Sequence, residues 1–205
     1  MSFQRSLKIP KERIAVIIGK NGKIKEEIEK KCNVILDINS KTGEALVSSK
    51  IDTMHEMLPF VAIELISAIG KGFSPERAYR LTEENNSFLV LDLRDYVGKS
   101  SRSVERIKGR VIGEKGKSRK TIEQLTGAYI SVYGNHVGFI GLFNQIRLAR
   151  SAVMMLTKGS THRSVFDMLQ GIRKKAKLDR MLLWEGDDQK SISSESRLSN
   201  LHLDT

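Results

Sequence analysis

Cysteine is almost absent from this sequence, and aromatic residues are few. The single thiol, Cys32, cannot form an internal disulfide or build a zinc cluster, and it fits a reducing compartment. The four histidines lack the spacing of metal ligands or of a catalytic triad, so we predict no metal, no cofactor and no catalytic centre. An aromatic content of 6% argues against modules that bind nucleic acid by stacking bases on aromatic side chains.

Long apolar runs are also missing. The longest, residues 58–69, is interrupted by Glu64 and is shorter than the roughly 20 residues that a transmembrane helix needs. Residues 1–9 lack the apolar core of a signal peptide. These two absences predict a cytoplasmic protein.

Acidic residues are too few to balance the basic ones. The chain has 35 lysines and arginines against 24 aspartates and glutamates, which gives a formal net charge of +11. A charge of this sign indicates a polyanionic partner or an anionic membrane surface. Because the chain has no membrane-spanning run, we favour the polyanion.

An internal repeat organises the chain. Gly113 and Gly116 follow Gly19 and Gly22 at the same distance of 94 positions, and each pair forms a Gly-x-x-Gly turn. Apolar and acidic positions on both sides of the turns match at this offset: Ile17 with Val111, Ile18 with Ile112, Ile28-Glu29 with Ile122-Glu123, Leu36 with Ile130, and Ile38 with Val132. A duplication therefore divides the 205 residues into two small domains.

Both copies predict the same order of elements: strand, helix, glycine turn, helix, strand, strand, helix. Apolar spacing sets these elements at 3–9, 11–18, 23–31, 34–38, 45–48 and a long helix ending near 69, then at 88–93, 103–112, 117–125, 129–133, 137–140 and 144–156. We place the first domain at 1–84, with a short connecting helix, and the second at 85–160. A basic helix at 161–185 and a flexible acidic tail at 186–205 follow.

The glycine turns are candidate phosphate sites. A turn that leads directly into a helix presents free backbone N–H groups at the positive end of the helix dipole, and missing side chains let a phosphodiester backbone approach closely. Cations surround both turns: Lys20, Lys23 and Lys25 at the first, and Lys115, Lys117, Arg119 and Lys120 at the second. Gly116-Lys117-Ser118 imitates the end of a nucleotide-binding loop, but Val111 occupies the position of that loop's leading glycine, which argues against nucleotide hydrolysis.

The segments IIGKNGKIKEEI and VIGEKGKSRKTIEQL resemble the signature of the KH domain. The resemblance implies an α+β chain of two tandem type I KH domains, βααββα each, with a C-terminal helical extension. Each KH domain binds about four nucleotides of single-stranded RNA or DNA, with backbone at the glycine loop and bases in an aliphatic groove. Carried over by position, the implied RNA-binding residues are Ile14, Ile17, Ile18, Gly19, Lys20, Asn21, Gly22, Lys23 and Lys25 in the first copy, and Ile107, Arg110, Val111, Ile112, Gly113, Glu114, Lys115, Gly116, Lys117, Arg119 and Lys120 in the second.

Two positions depart from the KH pattern. The third residue after the second glycine is often aliphatic in the family, but Lys25 and Arg119 stand there in this chain. Glu114 places an acid inside the second loop, where Lys115 and Lys117 are expected to outweigh it. We expect the second domain to bind RNA more strongly, because residues 99–120 hold nine basic residues against Glu105 and Glu114.

The runs GFSPERA, EQLTGAYISVYGNHVGFIG and KGSTHRSVF carry a closer resemblance, over residues 3–185, to archaeal relatives of the twin-KH small-subunit assembly factor known as partner-of-Nob. This resemblance implies a non-catalytic role near the 3′ end of small-subunit ribosomal RNA, beside a PIN-domain endonuclease and other assembly or translation factors. Two alternatives stay open: a KH protein of RNA decay, transcription or translation initiation, and a protein-interaction scaffold whose basic helix, residues 163–183, docks an acidic partner. In either case Trp184 is interpreted as an anchor of that helix.

Overall fold

The computed structural model describes residues 3–49, 58–98, 100–179 and 181, so the predicted acidic tail and Trp184 lie outside the described residues. Within these ranges no helix is long and apolar enough to cross a membrane. The first copy consists of β1 (Gln4–Lys8), α1 (Lys11–Ile18), α2 (Lys23–Cys32), β2 (Val34–Asn39), β3 (Glu44–Ser49) and α3 (Leu58–Gly70). Its antiparallel sheet has the order β1-β3-β2, which leaves β2 at an edge.

The second copy repeats this arrangement. After the connection of α4 (Pro75–Ala78) and a 3₁₀ turn (Tyr79–Thr82), it consists of β4 (Asn86–Asp92), α5 (Arg94–Val97), α6 (Ser101–Ile112), α7 (Lys117–Thr126), β5 (Tyr129–Tyr133), β6 (His136–Leu142) and α8 (Phe143–Thr157). Its sheet order, β4-β6-β5, corresponds to that of the first copy. Residues 162–179 form a further helix, α9. The predicted α+β fold with two copies and a C-terminal helix is confirmed, and only the short α5 was not predicted.

Three of the five matched apolar pairs of the repeat lie in the two cores. Ile17 and Val111 are fully buried, as are Ile28 and Ile122, and Leu36 and Ile130 follow at 1% and 0% exposure. In each copy these side chains join the inner face of the sheet to the helices. The repeat detected in the sequence is therefore a repeat of core contacts.

The outer faces of the two sheets differ. In the first sheet the register aligns polar and exposed residues on this face, such as Ser6 and Asp37 beside half-buried Leu46. In the second, Phe88, Ile140 and Tyr129 are aligned across the three strands, and all three pack in the first domain's core cluster. The second sheet is thus apolar on both sides, because the first domain covers its outer face.

Phe73, in the connection between the domains, is the centre of this contact. It is 1% exposed and packs edge to face on Phe88, with 6.1 Å between ring centroids. Gly138 makes room for it, since a Cβ at this position would lie 2.8 Å from Phe73 Cε2. Gly72 allows an equally close approach, because its Cβ would lie 2.7 Å from that of Tyr133.

Hydrogen bonds surround this apolar contact. Arg13, in α1, donates through Nε to the carbonyl of Ile69 at 2.9 Å and through a terminal nitrogen to that of Phe73 at 2.5 Å. The Arg13 guanidinium lies 5.9 Å from the centre of the Tyr133 ring, and the Tyr133 hydroxyl donates to the Glu12 carboxylate at 3.0 Å. Burial, together with this bond, raises the pKa of Tyr133. The helix that precedes the first glycine loop is therefore tied to the second domain.

Tyr129, on the same strand face as Tyr133, is also held by the first domain. The guanidinium groups of Arg77 and Arg80 both lie 5.0 Å from the centre of its ring. Both tyrosines of this strand face thus pack between the domains. Nearby, burial and the Lys71 ammonium lower the pKa of His136, whose Nε2 lies 3.3 Å from Lys71 Nζ.

Candidate nucleic-acid interface

The two glycine loops follow nearly the same backbone path. Each is one 3₁₀ turn between two helices, Lys20–Gly22 in the first copy and Glu114–Gly116 in the second. The first glycines, Gly19 and Gly113, have φ of 72° and 70°, and the last, Gly22 and Gly116, have φ of 78° and 77°. The loop conformation is therefore repeated together with the motif.

The residue before the last glycine is left-handed in both loops. Asn21 has φ of 55° and Lys115 has φ of 49°. Asparagine adopts this region readily, whereas lysine does so at some cost in conformational energy. The second loop thus places a lysine at its tip against the local backbone preference.

The two glycines of each loop have different roles. A Cβ on Gly113 would lie 2.6 Å from Ser118 Cβ and 2.8 Å from the Ser118 nitrogen, so the first glycine allows the loop to pack on the following helix. A Cβ on Gly116 would have no described atom within 4 Å, and the same holds for Gly22. The last glycine therefore opens onto free space in front of the helix N-terminus, where a ligand backbone can approach.

Helices α2 and α7 begin without a side-chain cap in the described structure. Gly22 and Gly116 occupy their N-cap positions. The N–H of the first helical residue donates within the loop, from Lys23 to the Lys20 carbonyl and from Lys117 to the Glu114 carbonyl, so a ligand would meet the N–H groups that follow it in the first turn. Both helices have 10 residues, and their positive dipole ends point at the open side of the loop. This arrangement favours an anion.

Cations stand around both loops. Lys20, Lys23, Lys115, Lys117 and Lys120 are exposed. An open depression of about 510 Å³ beside the second loop is lined by Glu114, Lys115, Lys117, Lys120, Thr121 and Gln124. Its wall carries three ammonium groups and one carboxylate, so a phosphate placed there meets an excess of positive charge.

Three other cations of the predicted site are less accessible to a ligand. Lys25 and Arg119 are half-buried, and the Nε of Arg119 is buried without a hydrogen-bond partner in the described part of the chain. Arg110 donates to the carbonyl of Ser160 at 2.5 Å, and its own carbonyl lies 2.8 Å from His162 Nε2. Arg110 therefore joins the end of α6 to the beginning of α9.

The aliphatic residues of the predicted grooves lie at two depths. Ile14 is 5% exposed, Ile107 is 1% exposed, and Ile17 and Val111 are fully buried. Ile18 and Ile112, directly before the loops, are half-buried. The accessible apolar surface next to each loop therefore comes from this last residue, and the others support it from the core.

A glutamate on the second helix of each copy holds the edge strand, a role that was not predicted from the sequence. Glu29 Oε1 accepts the N–H of Leu36 at 2.8 Å, and Glu123 Oε1 accepts that of Ile130 at 2.8 Å. These bonds join α2 to β2 and α7 to β5, the strands that face α1 and α6 across each predicted groove. We name Glu29 and Glu123 the strand latches. The Ile-Glu pairs of the repeat were the available signal, but they were used only as evidence of duplication.

The second latch has an additional partner from the first domain. Arg77 donates to Glu123 Oε1 at 2.8 Å, and the Glu123 side chain is only 10% exposed. A buried carboxylate with two donors is costly to remove, because both donors lose their acceptor. The domain contact and the second groove thus share one side chain.

Replacing Glu123 by alanine is expected to lower the free energy of unfolding by about 3 to 5 kcal/mol, since it removes two hydrogen bonds to a charged group and such bonds contribute about 1.5 to 3 kcal/mol each. Glu29→Ala, which removes one such bond, should cost less. Urea denaturation of both variants measures the difference. Glu105→Ala, at an exposed position of α6, is the control. Equal costs for Glu123→Ala and Glu105→Ala would contradict the latch.

Comparison with known proteins identifies the two copies. Residues 4–53 match the KH domain, and residues 87–174 match the family described as the eukaryotic-type KH domain, type I. A KH domain-containing protein of Methanocaldococcus jannaschii is 41% identical over 179 residues, which cover 87% of this chain and 78% of that protein. The pre-rRNA-processing protein PNO1 of Chaetomium thermophilum is 29% identical, over 84% of this chain and 67% of that protein.

A solved structure agrees with these matches over both domains. The chain is similar to a protein in the crystal structure of the a/eIF2alpha–aDim2p–rRNA complex from Pyrococcus horikoshii, with a TM-score of 0.80 and 41% identity. The similarity covers 85% of this chain and 96% of that one. The chain therefore belongs to the twin-KH family of archaeal Dim2 and eukaryotic PNO1 proteins.

Proposed function

We propose that this chain is a non-catalytic RNA-binding protein that acts in the cytoplasm on small-subunit ribosomal RNA during its maturation, near the 3′ end of that RNA. The observation that carries the proposal is the duplicated glycine loop, open at its last glycine and facing an uncapped helix N-terminus among lysines. Such a site binds phosphate without chemistry of its own. Relatives named as pre-rRNA-processing proteins, and a similar protein solved with rRNA, support this choice of RNA.

The contacts that we propose follow the geometry of the loops. Backbone N–H groups and Lys20, Lys23, Lys115, Lys117 and Lys120 bind phosphates, while Ile18 and Ile112 contact bases. The half-buried Lys25 and Arg119 complete the charged surroundings. One KH site of about four nucleotides binds weakly, but the packed domain contact makes the second contact intramolecular and raises avidity.

We include two kinds of protein partner in this proposal. The first proposed partner is a PIN-domain endonuclease that cleaves at the 3′ end of small-subunit ribosomal RNA. The similar Dim2p structure also contains a/eIF2alpha, a translation factor, which supports a partner of that class for this chain.

RNA affinity is expected to fall steeply with salt, because lysines displace counterions from phosphates. For single-stranded RNA each phosphate contact contributes about 0.7 to the negative slope of log K against log salt. Fluorescence anisotropy with a labelled 3′-terminal RNA fragment, between about 50 and 200 mM salt, measures this slope. Lys115→Gln should reduce the slope by about 0.7, the contribution of one phosphate contact. A slope near zero for the unmodified chain would contradict phosphate binding.

The proposed function is tested by crosslinking the tagged protein to RNA in its native cells and sequencing the bound fragments. Enrichment at the 3′ end of small-subunit ribosomal RNA, lost in Gly116→Asp, supports the proposal. Gly116 suits this test because a side chain there would meet no described atom within 4 Å, and aspartate is one of the few residues besides glycine that adopt its left-handed φ of 77°. Binding to messenger RNA or to decay fragments would instead indicate a KH protein of another RNA process. The absence of bound RNA would favour a protein-interaction scaffold.

A further inference from the structure

Helix α9 has a packed half and a free half. Val165 and Leu169 are 0% and 2% exposed in the core of the second domain. Every residue from 171 to 179 is exposed. An isolated helix of this length is marginal in water, so the packed half supplies the nucleus from which the free half extends.

The free half is strongly basic. Residues 171–179 contain Arg173, Lys174, Lys175 and Lys177 against Asp179 alone. Arg173 and Lys177 lie one turn apart on the same side of the helix, where two cations can contact one strand of phosphates. The local charge therefore suits a polyanion.

The apolar residues of the free half do not form a docking stripe. Ile172 and Leu178 are 39% and 56% exposed, but at 100° per residue they lie on different sides of the helix. A helix that docks in a protein groove presents apolar residues at positions i, i+3, i+4 and i+7 along one face. The pattern thus favours a nucleic acid over a protein groove.

The N-terminal end of α9 lies beside the second glycine loop. Arg110 binds the carbonyl of Ser160, and His162 lies 2.8 Å from the carbonyl of Arg110, which precedes Gly113 by three positions. From His162 the free half begins about 14 Å along the helix axis, at about 1.5 Å per residue. We therefore expect an RNA strand held at the loop to reach the free half with nucleotides outside the four of the KH site.

We propose that residues 171–179, which we name the basic arm, form a third RNA contact that binds phosphates without sequence preference. The inference rests on the proposed function, because it needs an RNA already bound at the second domain. The arm then lengthens the bound stretch and increases the salt dependence.

The test compares two RNA fragments. The first is the shortest fragment near the 3′ end of small-subunit ribosomal RNA that the unmodified chain binds. The second is the same fragment extended along its precursor RNA by about ten nucleotides on each side, more than two KH sites require. The variant carries Arg173→Gln, Lys174→Gln, Lys175→Gln and Lys177→Gln, since glutamine preserves helix propensity. The control variant carries Lys11→Gln, Lys30→Gln, Arg147→Gln and Arg150→Gln, four exposed cations elsewhere.

We expect the unmodified chain to bind the long fragment more tightly than the short one, and the arm variant to lose this gain. The loss should be roughly tenfold on the long fragment, with a smaller salt slope, and within about twofold on the short one. The control variant should keep the gain.

Three results would overturn the basic arm: equal losses on both fragments, an equal loss of the gain in the control variant, or equal binding of both fragments by the unmodified chain. Unchanged binding of the long fragment by the arm variant would also overturn it and would favour a protein partner. If the unmodified chain bound no 3′-terminal fragment of any length, the proposed function itself would fail, and the arm with it.

Discussion

Replacing both Glu114 and Lys115 by aspartate is expected to weaken RNA binding about a hundredfold, whereas replacing both Lys20 and Asn21 should weaken it about tenfold. The first double substitution removes two units of positive charge and the second removes three, so a uniform charge effect would give the opposite order. The expected order arises because the second loop has the larger excess of cations around it and therefore provides more of the affinity. Aspartate tolerates the left-handed conformation of both loop tips, so the backbone path is kept.

Isothermal titration with one RNA fragment that spans both domains measures the two losses. The double variant Arg147→Asp, Ser151→Asp is the matched control, because it changes the charge by three units at exposed positions of α8, away from both loops. Its loss should be well below tenfold at moderate salt, where charges more than about 10 Å apart are screened. Equal losses from the two loop variants would refute the stronger second domain.

The sequence carries the repeated features of this fold because they depend on local spacing. Ile28 and Ile122 are buried at the same offset, and the loops that follow Ile18 and Ile112 adopt the same backbone angles, as their matched glycines predict. The conformation of a short motif can be predicted from its own sequence when that conformation depends on glycine φ values and on where a helix begins. The element order was predictable for the same reason.

The domain contact was not predicted, because it depends on residues that are far apart in the chain. The signal was present in the second sheet, where Phe88 and Leu89, like Phe139 and Ile140, put apolar side chains on both faces of a strand. Strands that are apolar on both faces are typical of sheets covered on both sides. What covers the outer face could not be derived, since the connection is largely polar and nothing in its sequence distinguishes Phe73 from Tyr79 or Leu81 as the covering residue.

The positions of the charged ends of long side chains could also not be predicted from the sequence. Arg110 stands among the cations of the second loop in the sequence, yet in the structure its guanidinium binds the carbonyl of Ser160, 50 positions later. Arg77 likewise reaches Glu123 across the domain contact. The end of a flexible side chain depends on tertiary packing, so charge density near a motif indicates an anion site without indicating which cations serve it.

Phe73→Ala is expected to be the most destabilising single substitution at the domain contact. Removing a buried phenylalanine side chain costs about 3 to 5 kcal/mol, because apolar burial is lost and a cavity remains. Phe88, Gly138 and Ile140 face this side chain from the second sheet and cannot close the gap without moving the sheet. The loss should therefore separate the domains as well as lower the free energy of unfolding.

Urea denaturation measures the stability of Phe73→Ala, and Phe143→Ala is the matched control, since Phe143 is 73% exposed and its loss should cost less than about 1 kcal/mol. Binding to RNA that spans both domains should also weaken in Phe73→Ala, because the connection still tethers the domains but no longer fixes their relative position. Under conditions in which Phe73→Ala is folded, its binding to a fragment that fits only one domain should change little. If Phe73→Ala cost no more than Phe143→Ala, the packed arrangement of the two domains would not be what stabilises the chain.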